Sequence, residues 1–130
     1  MWMLDTDTCS YVLKRHDPSL ERMFQQRSDD IAISMVVYAE LKYGAAKAAH
    51  NTGLLGDIRE FVRDLVILPW DKSAAEAYGE LRHALQSKGR IIGALDMMIA
   101  AHALSLNAVL VTNNQKHFKV VPGLKIENWV

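Results

Sequence analysis

Four short, nearly continuous apolar runs punctuate this 130-residue chain: Met1–Leu4, Ile31–Ser34, Val66–Leu68 and Ala108–Val111. Longer segments of helical period separate them, and Lys125–Glu127 offers a fifth short strand. A strand exposed on one face alternates apolar and polar residues, whereas a strand covered on both faces reads as an unbroken apolar run. Strands of that kind alternating with helices predict an α/β domain with a parallel sheet flanked by helices. In such sheets ligands bind beyond the carboxyl ends of the strands, near a reversal of strand order. Polar residues that directly follow a strand are therefore the first candidates for function.

The connecting segments carry recognisable helix signals. Thr8–Arg15 and Ser19–Arg27 read as two short helices divided by Pro18, which suits a first helical turn. From Met35 to about Ala49 the spacing Val37, Leu41, Ala45, Ala48 follows the helical period. Asn51 is the expected cap of a helix carrying Leu54, Leu55, Ile58, Phe61 and Val62. Asp71 is the expected cap of the next, which ends at Gly89 and whose buried stripe is read as Ala75, Tyr78, Leu81, Arg82 and Leu85. Gly93–Leu106 is a further helix, apolar enough to be buried.

Composition narrows the class. Half the residues are hydrophobic, as in a packed single domain. One cysteine, Cys9, cannot form an internal disulfide, and it reads as a small core residue. The opening MWMLDTD lacks the basic head and apolar stretch of a signal peptide, and no run approaches a membrane span of roughly 18 residues. A cytoplasmic protein is the expectation. Fifteen Lys/Arg balance fifteen Asp/Glu, so the chain does not coat nucleic acid through bulk positive charge.

The charges are, however, not evenly spread. Asp5, Thr6 and Asp7 follow the first strand, Glu40 lies one to two turns beyond the second, and Thr112, Asn113 and Asn114 follow the fourth. Asp96 begins a helix within the apolar stretch IIGALDMMIAAHAL, where an unpartnered carboxylate is costly to bury. Taken singly, each acid has an ordinary reading: Asp5 as a helix cap, Asp96 as a helix-start acid favoured by the dipole, Glu40 as a solvated helix residue. Together they would repel one another unless protonated or bridged by a cation. An all-oxygen, carboxylate-rich set suits Mg²⁺ or Mn²⁺, which can orient water and neutralise a phosphoryl oxygen. Phosphodiester cleavage is the chemistry this pattern favours.

The chain resembles PIN-domain ribonucleases, and among them the VapC toxins of type II toxin–antitoxin systems. The resemblance runs nearly end to end, through MLDTDTCSYVLKR, ISMVVYAELKYGAAKA, ILPWD, YGELRHALQSKGRIIGALDMMIAAHAL and LVTNNQKHFKVVPGLKIENW. It implies a single PIN-like, Rossmann-like domain over residues 1–130, with five parallel strands. It implies a Mg²⁺- or Mn²⁺-dependent endoribonuclease that cuts RNA, with initiator tRNA in the anticodon region as the expected substrate. It also implies a VapB-type antitoxin as partner and a homodimer. The family's acids fall on Asp5, Glu40 and Asp96, which would be the metal-binding and catalytic carboxylates, with Glu40 a ligand or a base that orients water. The fourth acidic position falls on Asn114, with Thr112 as the accompanying hydroxyl; an asparagine can coordinate or hold a water but adds no charge. Asp7 stands where the family often has Asn, as a further or outer ligand, and Val37 where a Thr or Ser is common, which removes a hydroxyl near Glu40.

Two other readings compete. Asp5-Thr6-Asp7-Thr8 also resembles the nucleophile motif of haloacid-dehalogenase-type phosphatases, but that family needs a later acidic pair, and no Asp or Glu lies between Asp96 and Glu127. A PIN-like domain weakened by Asn114 could instead act by binding its partner or RNA. Candidate RNA contacts are Arg15, Lys42, Lys88, Lys116 and Arg90, the last favoured by its nearness to Asp96. The histidines His16, His50, His83, His102 and His117 show no zinc-like spacing, and His102 reads as a core residue. The apolar faces of the first helices (Tyr11, Val12, Leu20, Phe24), with Met35, Tyr38 and Tyr43, divide between core and interface in a way the sequence leaves open. Setting aside Asp5, Asp7, Glu40 and Asp96, the rest of the chain holds eleven acids against fifteen bases. Neutrality is thus the sum of an acidic pocket and a mildly basic shell, which is compatible with selective RNA contact.

Overall fold

A computed structural model describes residues 1–14 and 17–130; Arg15 and His16 lie outside the described residues. One sheet of five parallel strands crosses the molecule in the order β3-β2-β1-β4-β5, with β1 Trp2–Leu4, β2 Ile31–Ser34, β3 Val66–Leu68, β4 Val109–Val111 and β5 Lys125–Glu127. The α/β class and the five strands agree with the expectation to within a residue. Every side chain of β2 is buried, and Met3, Leu4, Leu110 and Val111 are also inaccessible, which is why these segments show no alternation. Strand order reverses between β1 and β4, whose registers pair Leu4 with Val111. At such a reversal the loops leaving the two strands part, and this is where sheets of this kind place their binding crevice.

Among the described residues seven α-helices connect the strands: α1 Thr6–Lys14, α2 Pro18–Arg27, α3 Met35–Lys47, α4 Thr52–Arg63, α5 Lys72–Ser87, α6 Ala94–Ser105 and the single turn α7 Gln115–Phe118. Three starts follow directly from local chemistry. Asp17 accepts from the Ser19 N–H (2.8 Å) with Pro18 in the first turn, Ser34 accepts from Val36 N–H (3.1 Å), and Asp71 accepts from Ala74 N–H (3.0 Å). The α5 terminus is a glycine cap: Gly89 has φ +65°, and the Arg90 N–H reaches back to the Leu85 carbonyl (2.9 Å). Asn107, at φ 51°, ends α6 in the same way, with Ala108 N–H on the Ala103 carbonyl (2.9 Å).

Some local expectations need correction. The first helix starts at Thr6 rather than Thr8, because Asp5 is its cap and the strand turns into the helix with no loop. Asn51 precedes α4 without a side-chain cap bond. The stripe of α5 is Ala74, Tyr78, Leu81 and Leu85, while Ala75 and Arg82 are exposed. Each of those two lies one residue, about 100°, round from the buried line. The turn α7 was not anticipated; Phe118, 2% exposed, anchors it.

The two helices α5 and α6 pack chiefly on each other, and the turn before α5 is tied to α6 by Trp70, whose indole N–H donates to the Met98 carbonyl (3.0 Å). That bond steadies the helix that carries Asp96. His102 is buried, as expected, with Nδ1 2.8 Å from Ser34 Oγ, and burial lowers its pKa. Leu20 is core, and Phe24 meets Phe61 and Trp129 edge-on, whereas Met35 and Tyr43 stay exposed. Among the described residues no helix is long and apolar enough to cross a membrane.

Candidate functional site

Asp5 sits at the end of the central strand, 3% exposed. Its main chain extends the sheet, with Asp5 N–H on the Val111 carbonyl (3.0 Å), so the residue is locked between β1 and β4. Oδ1 accepts the Thr8 N–H (2.8 Å), and the Thr112 hydroxyl also bonds the carboxyl. Thr112, directly after β4, is itself held by β5 through its N–H on the Glu127 carbonyl (2.9 Å), and its hydroxyl accepts from the Asn114 N–H (2.9 Å). The ordinary reading of Asp5 as a helix cap is therefore correct. Burial raises the Asp5 pKa, against the Thr112 and Thr8 hydrogen bonds; Asp7 adds repulsion.

Glu40, on α3, accepts a 2.6 Å hydrogen bond from the Thr6 hydroxyl, a short charge-assisted contact. Its pKa is also raised, first by burial and then, against the Thr6 bond, by the charges of Asp96, Asp7 and Asp5. Asp96, in the first turn of α6, is raised by burial and by Asp7, while the neighbouring His117 pulls the other way. His117 Nε2 lies 2.9 Å from Asp96 Oδ2. Four acids from three separate elements thus feel one another: Asp5 and Asp7 around the first strand–helix turn, Glu40 from α3, Asp96 from α6.

The geometry brings together Asp5, Asp7, Glu40, Asp96 and Thr112 from the expected set. Asn114 joins through its main chain; its side chain is exposed at the head of α7. Val37 belongs to the core at 0% exposure, and the hydroxyl that bonds Glu40 is that of Thr6. Of the candidate cations, Lys88, Arg90 and Lys116 are exposed, Lys42 is half-exposed, and Arg15 lies outside the described residues. Lys42 follows Glu40 by two residues, about 200° round the helix, and lines a different groove with Asn51 and Leu55. Lys14, which sequence reasoning passed over, lines with Thr6, Ser10 and Glu40 a groove of about 450 Å³ between α1, α3 and α4. His117 was missed as well. The only trace of it in the sequence is its place three residues after Asn114, behind a strand end.

Among the described residues no three His, Cys, Asp or Glu side chains form a ready-made cage for a metal ion. The donor set nevertheless suits a hard cation of the Mg²⁺ class, which keeps several waters and needs only one or two carboxylates. Raised pKa values in a cluster of carboxylates mark repulsion and desolvation that a divalent cation would relieve.

A family model for the PIN domain matches residues 2–124. Ribonuclease VapC2 of Rickettsia felis is 40% identical, with 99% of this chain and 98% of the relative covered. The tRNA(fMet)-specific endonuclease VapC of Salmonella typhimurium is 37% identical, with 98% and 97% covered. Two crystal structures superpose closely. VapBC2 from Rickettsia felis bound to a DNA fragment from their promoter gives a TM-score of 0.95 at 40% identity, over 99% of this chain and 98% of that one. DNA-bound VapBC from Salmonella typhimurium gives 0.96 at 36%, with the same coverage.

Proposed function

From the fact that this chain belongs to the PIN-domain family, in the branch of the VapC ribonucleases, we propose that it is a Mg²⁺- or Mn²⁺-dependent endoribonuclease toxin. The observation that carries this reading is the convergence of Asp5, Glu40 and Asp96 at the switch in strand order, each with its carboxyl pKa raised by burial. Asp5 and Asp96 would hold the cation, and Glu40 would be a third ligand or the base. A bound divalent cation supplies electrostatic stabilisation of a phosphoryl oxygen and acidifies water.

The protein's own groups do the rest. Glu40, oriented by Thr6, takes the proton of the attacking water, a task its raised pKa suits. In-line attack on phosphorus breaks the P–O3′ bond and leaves a 5′-phosphate and a 3′-hydroxyl, the latter protonated by solvent. Thr112 keeps Asp5 in place, Asn114 orders waters or the phosphate from the rim, and Asp7 adds charge in the outer shell. Arg90, Lys88, Lys116 and Lys42, with Arg15, are the cations assigned to the RNA backbone, and their scatter fits selective contact. Initiator tRNA, cut in the anticodon region, is the proposed substrate, in line with the tRNA(fMet) specificity by which the Salmonella relative is named. A VapB-type antitoxin is the proposed partner, since VapBC structures are what the fold matches, and a homodimer the proposed assembly.

Incubation with total tRNA, with Mg²⁺ and with EDTA, tests the reading. Wild type is expected to cut with Mg²⁺ only, and Asp96→Asn to lose at least about a hundredfold in rate, the scale of a lost electrostatic group. Mapped ends should fall in the initiator anticodon region. Equal rates for Asp96→Asn and wild type would overturn the assignment; metal binding without cleavage of any structured RNA would favour a domain that acts by binding alone.

A further inference from the structure

We infer that His117 is a positioning residue for Asp96, holding one oxygen of that carboxylate so that the other alone is offered to the site. The inference rests on the reading of Asp96 as a metal ligand. Four observations converge on it. His117 Nε2 stands 2.9 Å from Asp96 Oδ2, from a different element. That nitrogen is buried and makes no aligned hydrogen bond among the described residues, so the Asp96 oxygen beside it is the acceptor within its reach. The imidazole cannot swing freely, because its ring meets Phe118 edge-on at 5.3 Å, and Phe118 is core. Finally, α6 begins at Gly93 with no side-chain cap, and His117 alone among the described residues is a side-chain partner of the Asp96 carboxylate.

Without a partner the carboxylate rotates between orientations, whereas a group fixed against Oδ2 favours one rotamer. Outer partners of metal-binding side chains act in this way, and their loss typically costs about 10- to 100-fold in metal affinity or activity. The donation needs only an Nε2–H, which the neutral Nε2-protonated tautomer and the imidazolium both carry.

Mn²⁺ affinity of the protein without RNA, measured by calorimetry, provides a readout independent of cleavage. His117→Ala is expected to bind Mn²⁺ about tenfold more weakly or worse. His117→Gln, whose amide nitrogen can take the place of Nε2, is expected to stay within about threefold of wild type on the same principle. In the metal-free wild type, a His117 Hε2 proton resonance protected from exchange is expected, and it should vanish in Asp96→Ala. Unchanged Mn²⁺ affinity in His117→Ala, or Gln as weak as Ala in a protein of wild-type melting temperature, would overturn the role of His117. If wild type itself binds no Mn²⁺, the metal reading of Asp96 falls and the positioning role falls with it; a protected Hε2 would then report only a structural contact.

Discussion

Asp5 does two jobs with one carboxyl group: Oδ1 caps α1 through the Thr8 N–H, and the residue stands at the head of the acidic cluster. The two can be separated by substitution. Asparagine caps a helix about as well as aspartate, whereas alanine forfeits about 1 kcal/mol. Because burial raises the Asp5 pKa, the folded protein binds a proton there more readily than the unfolded chain. The stability linked to that proton is fully present below the unfolded pKa of about 3.9, and is lost as pH rises through the raised folded value. In EDTA, Asp5→Asn is therefore expected to melt above wild type at pH 7, with the gain disappearing toward pH 4. Asp5→Ala should fall below Asp5→Asn at every pH. Thermal melts across that range check both, and a lower melting temperature for Asp5→Asn at pH 7 would refute the argument. Glu40 and Asp96 are raised for the same first reason, so the site as a whole is held at some expense to the stability of the metal-free fold.

The helices place these acids, and their ends are where local sequence speaks most clearly. Asp71, Ser34 and Asp17 cap as their types demand, and Gly89 ends α5 because its φ of +65° is open to glycine and strained for other residues. A Cβ at position 89 would meet nothing within 4 Å, so the strain there is backbone alone. Gly89→Ala is expected to lower stability by about 1 kcal/mol, seen in denaturant melts as a shifted midpoint with unchanged slope. Asp71→Ala should cost a similar amount. Neither touches the acids, so cleavage at a temperature where both variants are folded should be unaffected. The elements that misled a linear reading did so for geometric reasons. The stripe of α5 is set by where α6 lies against it, which moved Ala75 and Arg82 to the surface. The short turn α7 has too few residues to show a period, and it exists because Phe118 reaches the core.

At the scale of the whole molecule, the chain end closes onto its beginning. Trp129, 8% exposed, lies 6.3 Å from Trp2 and 6.1 Å from Phe24, and the Arg27 guanidinium sits over both indoles at 4.8 and 5.3 Å from the ring centroids. This cluster joins the first strand, α2 and the segment after β5. Trp129→Ala is expected to cost about 3 kcal/mol in chemical denaturation, and Arg27→Ala about 1 kcal/mol through the lost ring contacts. Both lie outside the acidic crevice, so Mn²⁺ affinity should be retained while the fold persists.

What sequence alone determined is what depends on a few neighbouring residues or on periodicity: five strands, most helix limits, the caps at Asp5 and Asp71 and the glycine end at Gly89, the burial of His102, and acids at strand ends. The resemblance carried by ordered segments such as MLDTDTCSYVLKR and LVTNNQKHF added the family, because motifs in a fixed order are specific where each alone is not. What only tertiary structure decided are the pairings across elements: Thr6 with Glu40, His117 with Asp96, Lys14 and Glu40 along one groove, and the depth of Val37 in the core. The physical reason is that each depends on how two elements cross. Thirty-four residues separate Thr6 from Glu40, and no local propensity encodes the 2.6 Å between them; the sheet order and the packing of α1, α3, α6 and α7 at its carboxyl edge do.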